Sequence, residues 1–141
     1  MPTAQDIRWL FNELWPALHA SALHRDRCPA DLSMINAIFA QHNNAPDALL
    51  GALIFLDGIG VVIGSGLIHS CNRSTLVPFD KHTTGYALQL CLIPDNLVSR
   101  GNYRRYSQAV VSYAASPGGC GDILSFVREA GQRCLFPFSP E

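Results

Sequence analysis

The sequence predicts an all-α fold, a compact bundle of six or seven helices. Apolar residues recur at helical spacing in several segments, and clusters of Gly, Pro and Asn separate those segments. A chain of 141 residues with 48% hydrophobic and 15% charged residues fits one domain with its own core. We therefore expect a single helical domain that spans residues 1–141.

The first two predicted helices lie in the N-terminal third of the chain. Apolar residues at helical spacing begin after Thr3, which is a candidate N-cap, and Pro16 is expected to kink or restart this helix. The second helix is expected to begin at Asp31, whose side chain can cap it, and to continue through Phe39.

The next two predicted helices flank a short turn in the most apolar part of the chain. Pro46 suits the first turn of a third helix that ends near Leu56, and Val61–Cys71 is predicted as a fourth. Between them lies Asp-Gly-Ile-Gly (57–60), whose glycines permit a tight reversal. The small residues 64–66 lower helix propensity but allow a neighbouring helix to approach closely.

A second interpretation of this region stays open. Residues 52–56 and 60–64 could each form a buried strand, and residues 57–58 would then be the turn of a hairpin.

Three further helices are predicted in the second half of the chain. Asp80 can cap a fifth helix over residues 81–91, and Tyr103 belongs to the start of a sixth. Asp122 follows a Pro-Gly-Gly break and can cap a seventh helix. The tail, residues 135–141, contains two prolines and is expected to be irregular.

Composition excludes several classes of protein. The five cysteines are odd in number and include no C-x-x-C pair, so neither a disulfide framework nor a zinc site is predicted, and we expect no metal and no cofactor. Asp6 and Glu13 interrupt the N-terminal segment, which argues against a signal peptide. The longest apolar stretch, Gly51–Ile68, carries Asp57 and five glycines, so we expect a cytoplasmic protein without a membrane partner.

Charge is unevenly distributed along the chain. The net charge is −1 overall, but residues 1–57 carry −3, residues 58–106 carry +3 and residues 107–141 carry −1. The basic middle third contains the Gly-Ile-Gly turn, which is where an anionic partner is best accommodated.

The segment Leu-Asp-Gly-Ile-Gly (56–60) between two apolar helices has the pattern of a helix-hairpin-helix. In this motif the amides of the turn and of the next helix N-terminus face outward, where the positive end of the helix dipole favours a DNA phosphate. An ordinary packing turn is the alternative interpretation of the same residues.

The residues that follow raise the specificity of this pattern. Pro78, Asp80 and His82 form a P-x-D-x-H motif, and Asp80 lies twenty positions after Gly60. Over about residues 45–90 the sequence resembles the helix-hairpin-helix DNA glycosylases, a superfamily of DNA-repair enzymes. The resemblance implies that Asp80 is a catalytic carboxylate, which stabilises positive charge on the deoxyribose while a flipped base leaves.

The chain also departs from the family pattern. Members that cleave the strand have a lysine where this sequence has Val62, so the resemblance implies at most a monofunctional enzyme. An arginine that often follows the aspartate is replaced by Gly85, and the cysteines of an iron-sulfur cluster are absent. Asp80 is equally explained as an N-cap alone.

The DNA-binding residues predicted from the hairpin, the motif and a basic aromatic segment are Gly58, Ile59, Gly60, Val61, Val62, Lys81, His82, Arg104 and Arg105. Helical periodicity favours a simpler account of the last segment, with Tyr103 and Tyr106 packed inward and the two arginines in water.

Two functions remain open from the sequence. One is a protein that binds double-stranded DNA and excises a base with Asp80. The other is a non-enzymatic helical module that binds DNA or a protein partner.

Overall fold

The computed structural model describes residues 2–17, 32–56, 59–94 and 100–138. These residues are helical and contain no strand, so the all-α prediction is confirmed and the hairpin interpretation of residues 52–56 and 60–64 is wrong. In chain order the helices are α1 (Ala4–Trp9), α2 (Trp15–Ala17), α3 (Leu32–Gln41), α4 (Pro46–Leu53), α5 (Val61–Cys71), α6 (Lys81–Gln89), α7 (Tyr103–Ala115) and α8 (Ile123–Phe138).

The N-terminal helix begins with a capping box and is distorted before its proline. Thr3 Oγ1 accepts a hydrogen bond from the Asp6 amide at 3.2 Å, and Asp6 Oδ2 accepts one from the Thr3 amide at 2.9 Å. A π-helical segment, Leu10–Leu14, joins α1 to α2. Pro16 cannot donate to the carbonyl four residues earlier, so the predicted kink takes the form of this wider turn.

The two central helices pack closely because one of them carries a glycine at the contact. A Cβ atom added to Gly64 of α5 would lie 3.2 Å from Leu50 Cδ1 of α4 and 3.5 Å from Ile59 Cγ2. Leu50, Leu53 and Leu67 are all fully buried around this contact. The expectation that the small residues admit a neighbouring helix is confirmed at Gly64.

Helices α6, α7 and α8 complete the core through aromatic side chains. The ring of Tyr86 on α6 lies 5.3 Å from that of Phe126 on α8, and Tyr113 of α7 contacts the same phenylalanine edge-on at 6.1 Å. On α7, Tyr103 and Tyr106 are fully buried, whereas the two arginines between them are exposed. The division that helical periodicity predicts is therefore confirmed.

Several predicted boundaries require correction. The fifth predicted helix ends at Gln89 instead of residue 91, because Cys91 adopts a left-handed conformation with φ 57°. Helix α8 continues to Phe138, so the prediction of irregular structure is wrong for residues 135–138. Pro137 lies in the last turn, where little helix remains to be broken. Asp31, Asp57 and Gly58 lie outside the described residues.

The prediction of a cap at Asp122 is confirmed. Its Oδ1 accepts a hydrogen bond from the Ser125 amide at 2.7 Å, at the start of α8. This bond lowers the pKa of the Asp122 carboxyl, since it stabilises the charged form.

Three further findings concern the described part of the chain. None of its helices is long and apolar enough to cross a membrane. Within the same residues, no group of three or more His, Cys, Asp or Glu side chains is placed to hold a metal ion. Cys71, Cys91 and Cys120 are free thiols.

The close packing of α5 on α4 predicts opposite effects of two glycine substitutions. Gly64→Leu should lower the free energy of unfolding by about 1–3 kcal/mol, because the larger side chain overlaps Leu50. Gly51→Ala is the matched control, since nothing lies within 4 Å of its added Cβ. It should stabilise the protein by about 0.5–1 kcal/mol through helix propensity. Urea unfolding followed by circular dichroism measures both, and a Gly64→Leu variant as stable as wild type would contradict the packing.

Candidate nucleic-acid interface

The segment Leu76–Asp80, here termed the connecting loop, joins α5 to α6 and passes through the interior. Val77 is fully buried, and Pro78 is also buried. Buried backbone outside helices or sheets must find side-chain partners, because an unpaired polar group inside the protein is costly. The connecting loop therefore depends on polar side chains that neighbouring helices present to it.

Two serine hydroxyls accept hydrogen bonds from amides of the connecting loop. The Phe79 amide donates to Ser65 Oγ of α5 at 2.8 Å, and the Val77 amide donates to Ser107 Oγ of α7 at 3.2 Å. Both serines are fully buried. A small hydroxyl is suited to this role because it accepts a hydrogen bond without separating the helix from the loop.

The carbonyl of Pro78 accepts a hydrogen bond from the Tyr106 hydroxyl at 3.2 Å. Thr83 Oγ1 lies 3.0 Å from the same carbonyl, but its single proton has a second acceptor in Asp80 Oδ1 at 2.6 Å. The ring of Phe79 packs edge-on against Tyr106, with centroids 5.3 Å apart. Burial raises the pKa of the Tyr106 phenol far above its usual range, so this hydroxyl stays protonated and can donate.

One of these bonds links α5 to the residues just before α6. Ser65 lies one turn after Val61, about 6 Å along the helix axis at 1.5 Å per residue. Its hydroxyl accepts from the Phe79 amide, two residues before Lys81 at the start of α6. Gly60 and Lys81 are both exposed. The chain that leads into α6 is therefore held against α5 at Ser65.

Gly60 does not need to be glycine for the chain to turn. Its φ of −95° and ψ of −173° are extended values open to any residue, and an added Cβ would meet nothing within 4 Å. The reversal that the glycines were expected to permit therefore does not use the conformational freedom of glycine at position 60. Helix α5 has no side-chain cap at Gly60, so its first amides have no such partner.

Ile59 differs from the other predicted hairpin residues. Its side chain is 4% exposed and packs in the core, and its amide donates to the Leu56 carbonyl at 3.1 Å. Val61 and Val62 are half-buried in the first turn of α5. The backbone of Gly60, Val61 and Val62 is therefore the part of this turn that can face a phosphate.

Asp80 is the N-cap of α6. Its Oδ1 accepts hydrogen bonds from the Thr83 amide at 2.8 Å and from Thr83 Oγ1 at 2.6 Å, and its own amide donates to Thr83 Oγ1 at 3.2 Å. Only 8% of the residue is exposed, and this reciprocal pair of bonds is a capping box. His82 is also buried, with 6% exposure, so its ring lies within the fold.

The predicted arginines lie at the other end of the central helices. The Arg104 amide donates to Asp47 Oδ1 in the first turn of α4 at 2.7 Å, and Arg104 lines a cavity with Cys71 at the end of α5. Ten residue steps, about 15 Å of helix, separate Cys71 from Val61. The structure therefore does not bring Arg104, or its neighbour Arg105, to the hairpin.

The sequence did not indicate that one aromatic ring close in the chain to Gly60 is exposed. Phe55 follows α4 and is 87% exposed. Its position within an apolar run made it resemble a core residue. Its place in the short turn between α4 and α5 puts it near the uncapped start of α5.

Two cavities were also not predicted from the sequence. The larger, about 830 Å³, is lined by His42, Asn43, Asn44, Asn72, Arg104 and Gln108 among others. The smaller, about 380 Å³, is lined by residues including Trp9 and His69. Neither of these two cavities is lined by Asp80. Their walls combine segments far apart in the chain, which local patterns cannot relate.

The capping geometry predicts that two changes at Asp80 differ in effect. Asp80→Ala should lower the free energy of unfolding by about 1–2 kcal/mol, because the Thr83 amide loses its acceptor. Asp80→Asn should cost less, since an asparagine oxygen can still cap the helix. Thermal and urea unfolding measure the difference, and an alanine variant as stable as the asparagine variant would argue against the cap.

The chain matches no family model, no curated protein and no solved structure in the comparisons made with each. Its resemblance to helix-hairpin-helix DNA glycosylases consequently stays a prediction carried by residues 45–90.

Proposed function

We propose that the protein is a non-enzymatic helical module that binds duplex DNA by its phosphate backbone. The binding surface consists of Gly60–Val62 at the start of α5, together with Lys81 and Phe55. The hydrogen bond from the Phe79 amide to Ser65 Oγ supports the proposal, because it ties the residues just before Lys81 to α5 one turn after Val61.

The chemistry of this surface suits a phosphate oxygen. The first amides of α5 have no side-chain cap, and the positive end of the dipole of an eleven-residue helix is directed towards them. Lys81 adds a full positive charge on the neighbouring helix. The positive end of the α6 dipole should attract a phosphate less strongly, because the Asp80 carboxylate already caps that helix end.

Phe55 adds a contact of a different kind. Aromatic rings at nucleic-acid surfaces stack on unpaired bases, and beside a duplex they contact the sugar-phosphate backbone. Single exposed apolar side chains are common at protein surfaces. The 87% exposed Phe55 is included in the proposed surface because it lies five residues before Gly60.

Base excision is the second candidate, supported by the P-x-D-x-H motif. It requires an aspartate whose carboxylate can approach the sugar of the bound DNA. The hydrogen bonds from Thr83 to Asp80 Oδ1 and the 8% exposure of the residue favour the cap instead. This is why the proposal is binding without catalysis.

Gly60→Asp tests the anion site without disturbing the fold. The extended backbone and open space at Gly60 accept any side chain, and aspartate is a good N-cap, so stability should be retained. The carboxylate should occupy the amides and repel phosphate, weakening affinity for a fluorescent duplex about fivefold or more at low salt. Gly118→Asp is the matched control, because it makes the same change at an exposed, open position in the turn after α7.

The outcomes of that titration separate the candidates. Wild-type affinity should fall steeply as salt rises, because bound phosphates replace counterions. Equal weakening by Gly60→Asp and Gly118→Asp would mean that net charge, and not the start of α5, governs binding. If wild type binds no duplex at low salt, the proposal is wrong and a protein partner becomes the better explanation. Base release by wild type that Asp80→Asn abolishes would establish catalysis.

Phe55→Ala tests the aromatic contact. Because the ring is 87% exposed, its loss should leave the free energy of unfolding within about 0.5 kcal/mol of wild type. Affinity for a single-stranded oligonucleotide should fall about fivefold or more, as expected for loss of one stacking contact, and affinity for a duplex, whose bases stay paired, should fall less. Unchanged affinity in fluorescence anisotropy would remove Phe55 from the binding surface.

A further inference from the structure

A second site lies away from the proposed DNA surface, in the cavity of about 380 Å³. The cavity is bordered by α1, the end of α5, the end of α7 and the start of α8. Most of its wall is apolar and includes Trp9, Val111, Ala114, Ile123 and Leu124. Its volume is near the lower end of the range of about 300–1,000 Å³ typical of small-molecule pockets.

His69 is the buried polar side chain of this wall. It is 1% exposed, and its Nδ1 lies 2.5 Å from the Leu76 carbonyl oxygen. A carbonyl oxygen only accepts hydrogen bonds, so Nδ1 must carry the proton and donate. The connecting loop thereby selects the tautomer of His69.

Burial keeps this imidazole neutral at physiological pH. Loss of solvation lowers the pKa of His69 to about 4, a shift that the Leu76 bond opposes and the nearby Arg73 reinforces. With the proton on Nδ1 and the ring uncharged, Nε2 carries a lone pair and can only accept.

The Nε2 atom has no hydrogen-bond partner among the described residues. A buried acceptor left unpaired is unfavourable, and most such atoms in folded proteins find a partner. The Trp9 ring lies beside the imidazole, with centroids 5.5 Å apart, and is itself only partly buried. Both rings line the cavity, so a small molecule there would contact them both, and Nε2 would accept from it once the side chains that cover this atom move aside.

We propose that this cavity binds a small neutral molecule with a compact apolar or aromatic body and one O–H or N–H group, which donates to His69 Nε2. Arg73 and Asp122 also line the cavity and carry opposite charges, so the wall offers no net charge to select an ion. The rest of the wall is mostly apolar, which favours a neutral ligand because an ion would lose its hydration there. The Arg73 guanidinium lies over the Trp9 ring, 3.9 Å from its centroid.

Phenol and anisole are the probes that test this inference, because they share a ring and differ in the donor. The measurement is the ¹⁵N chemical shift of the His69 side chain in the full-length labelled protein. Before any addition, Nδ1 should show the shift of a protonated nitrogen and Nε2 that of an unprotonated one. Phenol should then move the Nε2 signal in a saturable way, and anisole should not.

Variants at the cavity rim provide the control. Ala115 lines the cavity but is exposed, so Ala115→Phe should fill the space without disturbing the core and abolish the phenol-induced shift. Ser112→Phe places the same ring on an exposed part of α7 that lines the other cavity, and should leave the shift intact.

Three results would overturn the inference. These are a protonated Nε2 in the free protein, no saturable shift with phenol, or equal shifts with phenol and anisole. None of them bears on duplex binding, which is measured separately at the start of α5.

Discussion

The buried backbone of the connecting loop is the constraint on which the rest of the structure depends. Between α5 and α6 the chain crosses the interior without helical hydrogen bonds, and side chains of three helices replace them. Ser65, Ser107 and Thr83 accept from the amides of Phe79, Val77 and Asp80, and Tyr106 donates to the Pro78 carbonyl. Because these partners belong to α5, α6 and α7, the loop fixes the three helices relative to one another.

Each end of this loop contacts an element of one of the two proposed sites. At its C-terminal end, the bond from Phe79 to Ser65 ties the residues before Lys81 to α5. At its N-terminal end, the Leu76 carbonyl holds the proton of His69 on Nδ1 and leaves Nε2 as an acceptor. A single loop thus contacts the helix that begins the proposed anion-binding surface and sets the tautomer of His69 in the apolar cavity.

The sequence predicts best where a few neighbouring residues decide the structure. The caps at Thr3, Asp80 and Asp122 and the inward packing of Tyr103 and Tyr106 depend on local spacing, and the structure confirms them. The partners of the connecting loop depend on contacts across 14 to 30 residues, so no local pattern indicates them. The same reason explains why the His69 cavity was missed. The sequence could not show that Gly60 adopts extended values open to every residue, because a glycine is compatible with many conformations.

Amide hydrogen exchange at Val77 and Phe79 tests the central claim most directly. Both amides lie in a segment without regular secondary structure, where exchange is ordinarily fast. If serine hydroxyls hold them, both should exchange as slowly as amides in the middle of α5 and α7, and Ser65→Ala should accelerate exchange at Phe79 more than at Val77. Exchange at the rate of an unstructured chain in the wild-type protein would contradict the account, since the loop would then not be fixed by these side chains.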